Sequence, residues 1–297
     1  MKDKDIYLLT GDLGFPFILE FSKKFPGRFL NCGIAEQNMM GVAAGLALAG
    51  KKPYVFSFVP FVIFRCLEQI RNDVCYQNLN VKIIGAGSGI TYGTHGSSHY
   101  GIEDVSVLKA FPNLVILSPA DQIEMKNLIL QSYKTKQPTY IRFEKNAKES
   151  FHKTDDKIIL GKPSILRNGK DGLIITTGSS LETGIKTVKK LSESKYNLKL
   201  ISLHTLKPIN KTSLIKELND IKYIFTIEDH KIVGGLYSSI AEILIENNLR
   251  NITLKAFGIK DKYEAIIGNQ EYLRKYYKID SNSIYKEIMN IYKKNGI

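Results

Sequence analysis

A glutamate stands in the string Asn31-Cys32-Gly33-Ile34-Ala35-Glu36-Gln37-Asn38-Met39-Met40-Gly41, ahead of Val42-Ala43-Ala44-Gly45-Leu46-Ala47-Leu48-Ala49-Gly50. A short apolar strand gives way there to a helix of Ala, Gly, Met and Leu, so small apolar side chains surround the carboxyl and leave water little access. An ionised carboxyl buried without a partner is costly; such a group is either kept protonated by its surroundings or satisfied by something held against it. The competing interpretation of Glu36 is structural, because Glu is favoured in a first helical turn where it meets the positive end of the helix dipole.

A second loaded stretch runs from Gly85 to Gly101, reading Gly-Ala-Gly-Ser-Gly-Ile-Thr-Tyr-Gly-Thr-His-Gly-Ser-Ser-His-Tyr-Gly. Its glycines let backbone approach a ligand closely, and His95 and His99 offer proton transfer near neutral pH. A loop of this length in a compact domain is usually functional or disordered. A metal would need a third ligand beside the two histidines, and no Gly-Lys-Ser/Thr closes the loop as a Walker motif would. Gly11-Asp12-Leu13-Gly14 is a third candidate. Phe58, Phe61 and Phe64, spaced by three, offer an aromatic face, although core packing gives the same spacing.

The elements that must position these groups alternate between short apolar runs and helical patterns, the mark of a parallel sheet with crossover helices. Strands are predicted at 6–10, 28–32, 53–58, 81–86, 114–117 and 139–143, with helices after Glu36 and at about 61–74, 103–110 and 121–133. Glu144 to Lys157 is polar and without period, the best linker candidate. Beyond it, strands are predicted at 173–177, 198–203, 223–227 and 253–256, with helices after Ser179 and at about 212–218 and 235–247. The fold class expected is α/β with two domains, 1–150 and 151–297, each a mainly parallel sheet flanked by helices. Ligands of such sheets bind beyond the carboxyl ends of the strands. Asp12, Glu36 and the 85–101 loop all follow predicted strands, which makes one shared site the simplest arrangement.

The 297 residues are enough for two ordinary cores, and 43% hydrophobic with 24% charged residues is a globular composition. The net charge of +13 raises the possibility of a polyanion partner, but the lysines are scattered without an aromatic-interleaved stripe and read as solvated surface. Cys32, Cys66 and Cys75 lack CxxC or metal spacing and read as reduced core thiols. The start of the chain lacks a signal-like apolar region, and no apolar run approaches the roughly 20 residues that span a bilayer. A soluble cytoplasmic protein without nucleic-acid or membrane partners is expected.

Taken in order, several strings resemble the transketolase family of thiamine diphosphate enzymes. Gly-Ile-Ala-Glu-Gln-Asn and its Met- and Ala-rich helix resemble the pyrimidine-binding domain, and Gly93-Thr94-His95-Gly96-Ser97-Ser98-His99 with Glu103-Asp104 resembles a family loop. Pro119-Ala120-Asp121, Pro138 to Arg142, Leu206-Lys207-Pro208 and Glu228-Asp229-His230 with Gly234-Gly235 extend the resemblance over nearly the whole chain. It implies that Glu36 is catalytic, hydrogen-bonded to the pyrimidine nitrogen of thiamine diphosphate, and that Phe61, with Phe64 as rival, carries the ring. His99, with His95 beside it, would assist substrate proton transfers, and Arg142 would be an anion contact.

The family's diphosphate-binding half, with its Gly-Asp-Gly motif and Mg2+ or similar divalent metal, has no counterpart here. Gly11-Asp12-Leu13-Gly14 is the nearest string and lies at the wrong end of that scheme; Asp12 stays among the cofactor-facing candidates. The resemblance therefore implies the carboxyl-terminal subunit of a split transketolase, active with an amino-terminal partner in an α2β2 heterotetramer on small sugar substrates. His95 replaces an acidic residue of the sugar-phosphate enzymes, Gly87 a phosphate-binding His, and the region of Pro16 a Ser, which implies a donor or acceptor unlike the usual pentose phosphates. The rival enzyme class is the beta subunit of a 2-oxo acid dehydrogenase decarboxylating component, and the rival outside catalysis is a non-catalytic assembly protein.

Overall fold

The computed structural model describes residues 3–144 and 150–296; residues 145–149 of the expected linker lie outside them. The first part runs β1 (Ile6–Thr10), α1 (Pro16–Lys24), β2 (Phe29–Asn31), α2 (Glu36–Leu48), β3 (Lys52–Phe58), α3 (Val59–Phe64), α4 (Leu67–Gln69), β4 (Lys82–Ala86), α5 (Asp104–Lys109), β5 (Val115–Leu117), α6 (Gln122–Lys134) and β6 (Thr139–Phe143). The second runs β7 (Ser164–Arg167), β8 (Leu173–Thr176), α7 (Ser180–Glu193), β9 (Lys199–Ser202), β10 (Thr205–Lys207), α8 (Lys211–Leu218), β11 (Tyr223–Lys231), α9 (Leu236–Glu246), β12 (Thr253–Ile259), α10 (Gln270–Tyr276) and α11 (Ser281–Lys294).

Among the described residues the strands form two sheets, one of seven strands in the order β10-β5-β6-β4-β3-β1-β2 and one of five in the order β12-β11-β8-β9-β7. Neighbouring strands are parallel except β10 on β5 and β7 on β9. Strands such as β5 and β8 are buried along their whole length, as parallel strands covered on both faces must be. The expected α/β class is observed.

The helix predicted over 61–74 is broken. α3 stops at Phe64, Arg65 and Cys66 step out of the ladder with the Cys66 amide bonded to Ile63 O, and α4 runs into a π turn over Ile70–Cys75. Wide turns of this kind leave side chains where a regular helix would not place them. β10 leaves the second half of the chain to pair with β5, and one apolar cluster then joins both sheets, packing Ile83, Val105 and Ile116 together with Leu203, Leu206 and Leu236. Cys66 and Cys75 are free thiols inside this core, and burial pushes them up to about 12 and about 11. No helix among the described residues is long and apolar enough to cross a membrane.

Candidate active site

Glu36 is the first residue of α2, whose buried positions 36, 39, 40, 43 and 44 form the stripe of a helix laid on a sheet. The carboxyl thus occupies a core position and is 3% exposed. The chain reaches it through a turn at Gly33 (φ 69), whose amide bonds to Asn31 Oδ1 at 3.0 Å. The Asn31 side chain also exchanges hydrogen bonds with Asp12, accepting from its amide at 3.1 Å and donating to its Oδ1 at 3.0 Å. The loops after β1 and β2 are thereby locked together. A Cβ on Gly11 would lie 3.3 Å from Glu36 Oε1, so a side chain at that position would crowd the carboxylate.

Two side chains answer Glu36. Ser57, fully buried at the end of β3, places its hydroxyl 3.2 Å from Oε1, and Arg65 donates from NH1 to Oε2 at 2.8 Å. The surroundings are therefore not purely apolar, as the sequence suggests; a cation set free by the break after α3 balances the carboxylate. Sequence reasoning passes over Arg65, whose one signal is its position directly after the Phe-rich string. Ile34, Ala35, Gln37, Asn38 and Arg65 line a cleft of about 480 Å3 with Glu36 on its wall.

Arg65 also connects Glu36 to the aromatic groups. Its guanidinium carbon lies 4.2 Å from the centre of the Phe61 ring, and Phe61 in turn meets His99 at 5.2 Å between ring centres. His99 packs on His95 at 5.1 Å and on Phe58 at 6.0 Å, while His95 meets Tyr92 at 5.6 Å. Burial, followed by the neighbouring His95, holds His99 below the usual histidine range. Ser98 Oγ lies 3.1 Å from His99 Nδ1 and steadies the ring.

Both histidines end short 3-10 turns, Gly93–His95 and Ser97–His99, in a loop that backbone contacts pin at its base. Gly89 and Gly101 exchange amide bonds at 2.8 and 2.9 Å, and Gly87 (φ 84) leaves room for the Tyr92 ring, which a Cβ would strike at 2.2 Å. The second half of the chain completes the clamp: Tyr100 donates to Ile266 O at 2.6 Å, and the Gly268 amide bonds to Gly93 O.

Three candidates are not brought into this cluster. Arg142, expected as an anion contact, is 3% exposed, with Nε 3.0 Å from Asp104 Oδ2 and NH2 donating to Gly101 O at 2.7 Å. It braces the loop from beneath and has no free face for a substrate. Phe64 is 39% exposed and lines an adjoining groove with Leu67, Glu68, Arg71 and Phe111, which shares Gln37 and Arg65 with the Glu36 cleft but not Glu36 itself. Asp12 is exposed and tied to Asn31 beside the cleft. The Glu228-Asp229-His230 string is likewise architectural: Glu228 accepts the Leu236 and Tyr237 amides at the start of α9, Asp229 holds Arg274 at 2.6 Å, and His230 is buried toward Asp104.

The arrangement offers a place for a flat heteroaromatic ring with a hydrogen-bonding edge. The Arg65 guanidinium shows the fit: a planar donor group rests on Phe61 while its edge meets Glu36. An aminopyrimidine presents the same two features, so Glu36 and Phe61 are suited to the pyrimidine of thiamine diphosphate.

Comparisons with known proteins agree with this geometry. Residues 1–149 match the family model described as the transketolase pyrimidine-binding domain, and residues 161–284 that of the transketolase C-terminal domain. A Methanocaldococcus jannaschii protein provisionally named a transketolase C-terminal section is 38% identical over 99% of this chain and 92% of its own length. One of the subunits of apulose-4-phosphate transketolase from Actinobacillus succinogenes is 36% identical over 90% of this chain and 86% of its own. Among solved structures, a split-gene transketolase described as an inactive β4 tetramer superposes with a TM-score of 0.86 at 30% identity, covering 97% of this chain and 92% of that one. Two family models in the expected order, relatives matched almost end to end and a shared two-sheet architecture lead to one conclusion: the chain belongs to the transketolase family.

Proposed function

We propose that this chain is the carboxyl-terminal subunit of a two-chain thiamine diphosphate-dependent transketolase, with 1–150 as its pyrimidine-binding half and 151–297 as its carboxyl-terminal half. The observation that carries the proposal is the convergence of Glu36 and Phe61 on one planar group at the carboxyl end of a parallel sheet. The cofactor, when bound, supplies the electron sink needed to break and re-form a carbon–carbon bond beside a carbonyl. Glu36 would hydrogen-bond the pyrimidine nitrogen, with Ser57 steadying its Oε1. Phe61 would offer its face to the pyrimidine, as it does to the Arg65 guanidinium. His99, held largely neutral by its surroundings, moves protons to and from substrate hydroxyls, with His95 as the outer neighbour that meets the substrate first.

The diphosphate and its divalent metal fall to an amino-terminal partner subunit. This accords with relatives that are named as a section or as one subunit of a transketolase, and with a split-gene neighbour described as an inactive tetramer of β chains. We propose that two copies of each subunit assemble as an α2β2 heterotetramer. A two-carbon ketol unit is the group transferred, between sugar or sugar phosphate substrates.

The test is the reconstituted two-subunit enzyme assayed for ketol transfer and, separately, for 2-oxo acid decarboxylation. Ketol transfer with loss of at least ~100-fold in kcat for Glu36→Gln is the expected result, in line with removal of an acid–base group. Unchanged turnover in that variant would overturn the catalytic assignment, and decarboxylation alone would favour the dehydrogenase class.

A further inference from the structure

Arg65 makes two contacts of different kinds at once, an ion pair with Glu36 at 2.8 Å and a stacked contact on Phe61 at 4.2 Å. The two partners differ in access: the Glu36 side chain is 3% exposed and that of Arg65 is 47% exposed. The cation reaches into the cleft from solvent and is not walled in. Its backbone sits at the break between α3 and α4, where the Cys66 amide has turned to Ile63 O. A side chain at such a break can change direction without unwinding a helix.

A guanidinium is flat, donates along its edge and stacks on aromatic faces. Those are the properties by which Glu36 and Phe61 would recognise an aminopyrimidine. Resting on the assignment of these two residues as the pyrimidine's seat, we propose that Arg65 competes with the cofactor for that seat and must swing out to solvent for the pyrimidine to enter. Competition of this kind lowers apparent affinity by the fraction of molecules whose seat is open. It makes cofactor capture a two-step event in which arginine departure precedes pyrimidine docking.

The experiment uses the complex with the diphosphate-binding subunit and titrates thiamine diphosphate by calorimetry, together with the dependence of the association rate on cofactor concentration. Arg65→Gln is expected to bind roughly tenfold more tightly than the natural protein, the gain that follows when an open fraction near one in ten becomes complete. The association rate of the natural complex should level off at high cofactor concentration, and that of Arg65→Gln should stay linear. Arg65→Lys, which keeps the charge but loses the flat face, should fall between the two, and it carries the test if Arg65→Gln does not assemble.

Equal or weaker binding by the arginine variants would overturn the proposal. Phe61→Ala and Glu36→Gln separate this failure from failure of the site itself. If both weaken binding while Arg65→Gln changes neither affinity nor rate law, the seat stands and the competition is refuted. If neither weakens binding, or the natural complex binds no cofactor, the seat is wrong and the proposal falls with it.

Discussion

The histidine pair shows how much of the site's chemistry depends on neighbours a few ångströms away. His99 is held below the usual range by burial and by His95, whose ring lies 5.1 Å off. Removing His95 removes a like charge, so protonation of His99 becomes easier and its pKa rises. In the reconstituted enzyme, His95→Ala should therefore move the acidic limb of kcat/KM to higher pH, and an NMR titration of the His99 ring should move in the same direction. A shift to lower pH would exclude this coupling. Glu36, Phe61, His95 and His99 can be found from sequence because each stands in a string with distinctive neighbours. Arg65 and Arg142 cannot be placed that way. Whether a guanidinium ends on a ring face or beneath a loop depends on a helix break and on the burial of Asp104, and neither has a period along the chain.

Helix ends and loops, more than helix bodies, fix where these groups stand. Asp121 illustrates the principle away from the cleft. Its Oδ1 accepts the Glu124 amide at 2.8 Å to cap α6, and its Oδ2 accepts the Phe151 and His152 amides at 2.7 and 2.9 Å. These bonds and His152 hold its carboxyl down at about 2, although burial works in the opposite direction. Asp121→Ala would remove the cap and leave buried amides unanswered, with an expected loss of about 2–4 kcal/mol in urea unfolding. Asp121→Asn, which can still accept, should lose less. Most strands and the longer helices are legible because apolar runs and stripes have clear periods. β7, β10, α1, α10 and α11 are not assigned from sequence. The first two are strands of four and three residues, α1 and α10 are short, and α11 carries a regular stripe at Ile284, Ile288 and Tyr292 that lies beyond the last predicted strand, which ends at Ala256.

At the scale of the molecule, buried histidines tie stability to acidity. His204, at the crossing from β9 to β10, and His230, at the end of β11, are both depressed to about 4, in each case chiefly by burial. The folded protein refuses protons that the unfolded chain accepts below about 6.5. Stability is thus full above that pH and is lost as pH falls toward 4, on the order of 3 kcal/mol per histidine across the window. His152, raised by Asp121 and Glu124 against its burial, opposes this trend: its contribution is present below pH 6.5 and lost as pH rises through its folded value. Urea midpoints measured from pH 8 to 4 should decline through the acid window, and His204→Gln should flatten the decline. The same slope in that variant would show that His204 is not a source of it.

The pairing of β10 with β5 has a consequence for the order in which the protein is made. Residues 205–207 complete the edge of a sheet whose other strands end at Phe143, so a growing chain must add more than sixty residues before that edge is covered. At translation speeds of roughly 5–20 residues per second, the apolar edge Val115-Ile116-Leu117 stays open on the ribosome for about 3–12 s. The first domain is therefore born unfinished, and a nascent chain arrested before Thr205 should need a chaperone that one released after Pro208 does not.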